Sequence, residues 1–123
     1  MVDAPHDARD AGVLGVVEPD ALVETCARLA CLIGQEEEWP AVRIGVAFGR
    51  ATSRGGDWFG APVNVASRVT GIAKPGQLYA TEEIQARTPE RPWKKKRKRN
   101  LRGVDGRVRI FALDEPRLAE IGA

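Results

Sequence analysis

Three side chains of contrasting chemistry stand close together in Gly56-Asp57-Trp58-Phe59-Gly60-Ala61-Pro62-Val63-Asn64-Val65-Ala66-Ser67-Arg68-Val69. They are an acid, Asp57, an amide, Asn64, and a guanidinium, Arg68. A carboxylate only accepts hydrogen bonds, a guanidinium only donates them, and an amide does both. Asn64 and Arg68 are four residues apart, so on a helix they share one face. A plainer arrangement uses the same residues: Arg68 pairs with a carboxylate, and Asn64 caps its own helix, as short polar side chains often do. Spacing alone leaves both readings open.

The flanking sequence predicts the elements that must hold these residues. Pro62 fits the first turn of a helix, where its missing N–H costs nothing. That helix should run to about Ala73 and stop before Lys74-Pro75-Gly76. Upstream, Val42, Ile44, Val46 and Phe48 alternate with Arg43, Gly45, Ala47 and Gly49, the pattern of a strand over 42–52. Glycines on its second face imply that something approaches the backbone closely. Arg54-Gly55-Gly56-Asp57 reads as a turn. Earlier still, Leu22, Cys26, Leu29, Ala30 and Ile33 form an amphipathic helical stripe closed by Gly34. Gln77 to Ala80 reads as a short strand, and Thr81 as the cap of a short helix opening with Glu82 and Glu83. Gly103 and Gly106 flank a turn, and Val108, Ile110 and Ala112 alternate with Arg107, Arg109 and Phe111 in a final strand. The tail from Glu115 could form a short helix. This order of helices and strands predicts an α/β sandwich.

The chain has 123 residues, 43% of them hydrophobic, enough for one domain with a real core. Its apolar stretches fall well short of the ~20 residues of a membrane span. Met1 to Asp10 is polar and does not read as a secretory signal. Net charge is +2, but seven of the nine residues from Lys94 to Arg102 are Lys or Arg, and the remainder is net −5. The basicity is therefore local. Such a run is usually a solvated or edge-strand face. Only Trp93 accompanies it as a stacking aromatic, which argues against nucleic acid as a partner. Cys26 and Cys31, five apart on one helix, point in different directions and cannot bridge. They read as core thiols of a reducing cytoplasm. With His6 the only histidine and no Cys-x-x-Cys, a thiolate or imidazole metal site is not expected.

Three stretches together resemble the class III adenylyl/guanylyl cyclase catalytic domain. They are Val42-Arg43-Ile44-Gly45-Val46-Ala47-Phe48-Gly49, then Gly56-Asp57-Trp58-Phe59-Gly60, then Val63-Asn64-Val65-Ala66-Ser67-Arg68. Ala73-Lys74-Pro75-Gly76-Gln77 continues the match, and Leu101-Arg102-Gly103-Val104-Asp105-Gly106 is similar to the family's closing Leu-Lys-Gly turn. The Asp-x-Phe-Gly-x-x-Val-Asn-x-Ala-x-Arg portion is highly specific. The resemblance implies an α+β, ferredoxin-like sandwich and conversion of ATP to 3′,5′-cyclic AMP and pyrophosphate in cyclic-nucleotide signalling. It also implies Mg²⁺ or Mn²⁺ as cofactor and a site shared across a homodimer or a heterodimer with another cyclase chain.

Carried over by position, Asp57 is the purine-selecting residue, because a carboxylate favours the exocyclic amine of adenine over the carbonyl of guanine. Asn64 would hold the ribose and Arg68 the α-phosphate, where charge develops. Phe59, with Trp58, would pack at the subunit interface or beside the purine. Arg102 would contact phosphate. The family's first-strand motif Phe-x-Asp-hydrophobic-x-Gly-Phe, with its metal-binding aspartate, has no counterpart in this sequence. The chain reads as starting after that strand and its helices. Asp10, in His6-Asp7-Ala8-Arg9-Asp10, is the candidate for the second metal aspartate, although His6 and Arg9 stand where the family has Lys and Gly. The expected organisation is a segment over 1–12, a partial cyclase domain over 13–114 and a tail over 115–123. Two functions stay open. One is a cyclase subunit that supplies Asp57, Asn64 and Arg68 to a partner. The other is an inactive remnant that binds nucleotide or associates with cyclases.

Overall fold

A computed structural model describes residues 18–36, 41–49, 52–54, 57–59 and 61–115. The first helix, α1 (Pro19–Gly34), opens at Glu18, whose carboxylate accepts from the backbone N–H of Asp20 at 3.0 Å and of Ala21 at 3.1 Å. Its buried stripe is Val23, Cys26, Ala27 and Ala30. The expected stripe is thus rotated: Cys26 and Ala30 stay inside, but Leu22, Leu29 and Ile33 are only half-buried. Two alanines let the helix sit close to the sheet, which draws the axis of contact toward them. Cys31 is likewise half-buried, not a core thiol, and accepts a weak hydrogen bond from Gln35 Nε2 at 3.7 Å. Both cysteines are free.

Strand β1 is Ile44–Val46, shorter than the alternation predicts. Its partner sets the limit. β4 (Leu78–Thr81) runs parallel to it with Ile44 opposite Leu78 and Val46 opposite Ala80. The next residue, Thr81, is already the cap position of α3 (Glu82–Arg87). No ladder remains for Ala47 and Phe48. Phe48 is exposed, with the Arg87 guanidinium 3.9 Å above its ring. Thr81 lies at the cap position but makes no capping hydrogen bond. Its hydroxyl is buried and finds no hydrogen-bond partner among the described residues.

β2 (Thr52–Arg54) and β3 (Asp57–Phe59) form an antiparallel hairpin with Arg54 opposite Asp57. The turn expected at Arg54–Asp57 is therefore flanked by strands that the sequence reading did not separate. Helix α2 (Ala61–Ile72) follows. After β5 (Trp93–Lys95) come a short hairpin of β6 (Arg99–Asn100) with β7 (Arg107–Val108), and β8 (Ile110–Leu113). The main sheet has the order β1-β4-β8-β5, with β8 antiparallel to both neighbours. β5, which opens the basic run, is an edge strand. Gly103 and Gly106 take φ of 78° and 75°, as their turn requires.

Helices cover both faces of the sheet. α1 and α3 close over Ile44, Val46, Leu78, Ala80 and Leu113. α2 closes over Tyr79, Ile110 and Ala112 through Val69 and Ala73. The approach of α2 to β1 explains Gly45. A Cβ there would stand 2.6 Å from Thr70 Oγ1 and 2.7 Å from the Ala66 carbonyl oxygen.

Arg91 ties the start of α1 to the chain just before β5 and just after β8. Its Nε pairs with Asp20 at 2.8 Å, and its Nη1 with Glu24 at 2.8 Å and Glu115 at 3.4 Å. These hydrogen-bonded carboxylates raise its affinity for the proton above the ordinary guanidinium range. Among the described residues no helix is long and apolar enough to cross a membrane.

Candidate functional site

α2 has two faces with different jobs. Ala66, Val69, Thr70 and Ala73 are buried, and Thr70 Oγ1 donates to the Ala66 carbonyl at 2.8 Å. Asn64 and Arg68 face outward one turn apart, both exposed. Asn64 does not cap its own helix. Its Nδ2 donates to the carbonyl of Gly103 at 3.3 Å, across 39 residues of sequence. That contact places the amide beside the Leu101–Val104 turn, which is closed by the Val104 N–H donating to the Leu101 carbonyl at 3.0 Å. Arg102 is exposed on the same turn. Among the described residues no carboxylate pairs with Arg68.

Asn64 therefore meets the turn that carries Arg102, and Arg68 lies one helical turn further along α2. Asp57 and Phe59 lie at the two ends of β3, which leads into α2 and runs against it. Asp10 lies outside the described residues. The partner of Asn64, a backbone carbonyl, carried no signal in the sequence beyond the Leu-Arg-Gly turn.

Asp10, the candidate ligand for the implied Mg²⁺ or Mn²⁺, is not one of the described residues. Among them no three His, Cys, Asp or Glu side chains group in a way that could hold a cation. The carboxylates that do converge, Asp20, Glu24 and Glu115, are drawn onto the Arg91 guanidinium.

No family model matches the sequence. A pH-sensitive adenylate cyclase of Mycobacterium tuberculosis is 41% identical over 108 residues, covering 83% of this chain and 27% of the relative. An adenylate cyclase of Streptomyces griseus is 52% identical over 50 residues, 41% of this chain and 12% of the relative. The chain superposes on an adenylate/guanylate cyclase/hydrolase of Silicibacter pomeroyi with a TM-score of 0.73 at 20% identity, covering 82% of this chain and 65% of that one. The chain belongs to the class III nucleotide cyclase domains. It spans about a quarter of the length of the Mycobacterium tuberculosis cyclase. The cyclase domain's mixed α/β fold is thus the one the sequence predicts.

Proposed function

We propose that this cyclase domain contributes the nucleotide-orienting half of a site that converts ATP to 3′,5′-cyclic AMP and pyrophosphate. The observation that carries the reading is the seating of Asn64 against Gly103, which sets the amide beside Arg102 and one helical turn from Arg68. In this reading Asn64 orients the ribose so that its 3′-oxygen lies in line with the α-phosphorus. Arg68 faces the α-phosphate, where negative charge grows as the 3′-oxygen attacks and pyrophosphate departs. Arg102 receives the phosphate chain. Asp57 accepts from the exocyclic amine of adenine, and Phe59 packs beside the purine. The site is composite, and the carboxylates that hold divalent ions belong to the other chain of a dimer.

Complementation tests this. The chain is mixed with a cyclase that retains its metal carboxylates but lacks the Asn and Arg matching Asn64 and Arg68. Recovered cyclic AMP formation is the expected result. Arg68→Ala should reduce the recovery by ~10²–10³, the usual loss for one such donor. Asp57→Ala should narrow the preference for ATP over GTP. If the two chains bind but no activity returns, the donor reading fails, and the chain acts as a nucleotide-binding or cyclase-associating module.

A further inference from the structure

The basic run folds into a groove of about 680 Å³ whose described lining includes neither Asn64 nor Arg68. Lys96, Arg97, Lys98 and Arg99 form one side, Arg107 reaches it from β7, and Lys74 comes from the segment after α2. Tyr79 and Ile110, both buried, also line it. Among the described residues that line it there is no carboxylate. The cations are displayed on a fixed backbone. The Lys96 N–H donates to the Ile110 carbonyl at 2.8 Å, and Arg109 Nη1 donates to the Lys96 carbonyl at 2.8 Å. Six like charges around one concavity repel one another unless an anion sits among them.

We propose that this groove binds a compact oligophosphate. Its volume is that of a small-molecule site, and guanidinium forks among ammonium groups match the oxygens of a phosphate chain. A single-stranded nucleic acid fits less well, because it needs exposed rings to stack on. Tyr79 is only 5% exposed, and the Trp93 indole donates to the Thr88 carbonyl at 3.0 Å while its ring packs on the α1 side of the sheet. A membrane surface fits less well too. Among the described residues the large exposed hydrophobics are Leu32 and Phe48, neither of which lines the groove.

Calorimetric titration of the full chain with inorganic triphosphate, with no divalent ion present, tests this. Saturable binding is expected, weakening as salt rises. Lys98→Glu with Arg99→Glu should weaken it at least tenfold, and the milder pair Lys96→Gln with Lys98→Gln should weaken it several-fold if the first variant does not fold. Arg68→Ala should leave it unchanged. ATP should bind the groove about as well as inorganic triphosphate, since only the phosphate chain is recognised. The proposal is overturned if triphosphate does not bind, if groove variants bind it normally, or if Arg68→Ala removes binding. It is equally overturned if ATP alone binds, or if a single-stranded RNA or phosphatidylserine vesicles bind the groove tenfold more tightly than triphosphate. Complementation by the chain does not depend on any of these results, so this proposal and the cyclase reading can fail separately.

Discussion

Gly45→Ala is the smallest change that should dislodge the helix carrying Asn64 and Arg68. The added methyl would stand 2.6 Å from Thr70 Oγ1 and 2.7 Å from the Ala66 carbonyl oxygen, where ordinary contact begins near 3.4 Å. Thr70 cannot simply swing away, because it is buried and its hydroxyl is bonded to that same carbonyl at 2.8 Å. The other obstacle is helix backbone. α2 must therefore move off β1 by most of an ångström, opening its contacts with Tyr79, Ile110 and Ala112. Overpacking of this kind costs about 1–3 kcal/mol. Alanine also restricts the unfolded chain more than glycine, which returns about 0.4–1 kcal/mol. At the middle of both ranges the balance is a loss of about 1.3 kcal/mol.

Urea unfolding followed by circular dichroism should show the midpoint falling with little change in slope. Gly71→Ala supplies the opposite sign on the same helix. A Cβ there meets nothing within 4 Å, and alanine is favoured over glycine in a helix by up to ~1 kcal/mol, so that variant should be more stable. If Gly45→Ala matches the parent protein, or the two glycine variants shift in the same direction, α2 is not packed as closely on β1 as argued. The Asn64 to Gly103 hydrogen bond should weaken in Gly45→Ala, and complementation should fall with it.

Two further outcomes follow from the packing. Arg91→Met removes the guanidinium that joins Asp20, Glu24 and Glu115, and because Arg91 is only 16% exposed the loss should be about 1–3 kcal/mol in urea unfolding. In native protein a thiol reagent should label Cys31 quickly and Cys26 only on unfolding, since burial pushes the Cys26 thiol above its usual value of 9.0. That shift favours the neutral folded thiol, so its contribution is complete below about pH 9 and is lost as pH rises further; Cys26→Ala should flatten this alkaline decline.

Local patterns were readable in the sequence where a residue's own chemistry decides the outcome. Pro62 and Lys74-Pro75-Gly76 bound α2 closely, and Gly103 and Gly106 announce their turn. Gly45 announces close packing, although not which element packs there. Patterns failed where a distant partner decides. Phe48 completes the alternation of β1, yet β4 turns into α3 before reaching it. The face of α1 follows from two alanines meeting the sheet, which no count of large apolar residues weights correctly. β2 and β3 are three residues each, too short to show a period. Arg91 gathers carboxylates from 24 to 71 positions away, beyond any local signal.

The candidate site has the same division. Asp57, Asn64 and Arg68 stand out because residue type and spacing are specific, and the family resemblance gives them roles. Their spacing could not decide between a capping amide and a ligand-facing one. In the structure Asn64 lies inside α2, three residues past its first residue and not at the cap position, and its amide donates to Gly103. The amide's carbonyl oxygen is an acceptor that this bond does not use. The bond also fixes the plane of the amide, which a ribose-orienting group needs before substrate arrives. Packing adds the remaining constraint. With its inner face seated on a strand position that admits no side chain, α2 has one depth at which it can lie, and Asn64 and Arg68 inherit that depth. The glycine that looks like a gap in the strand is thus part of what positions the polar pair on the opposite face of the helix.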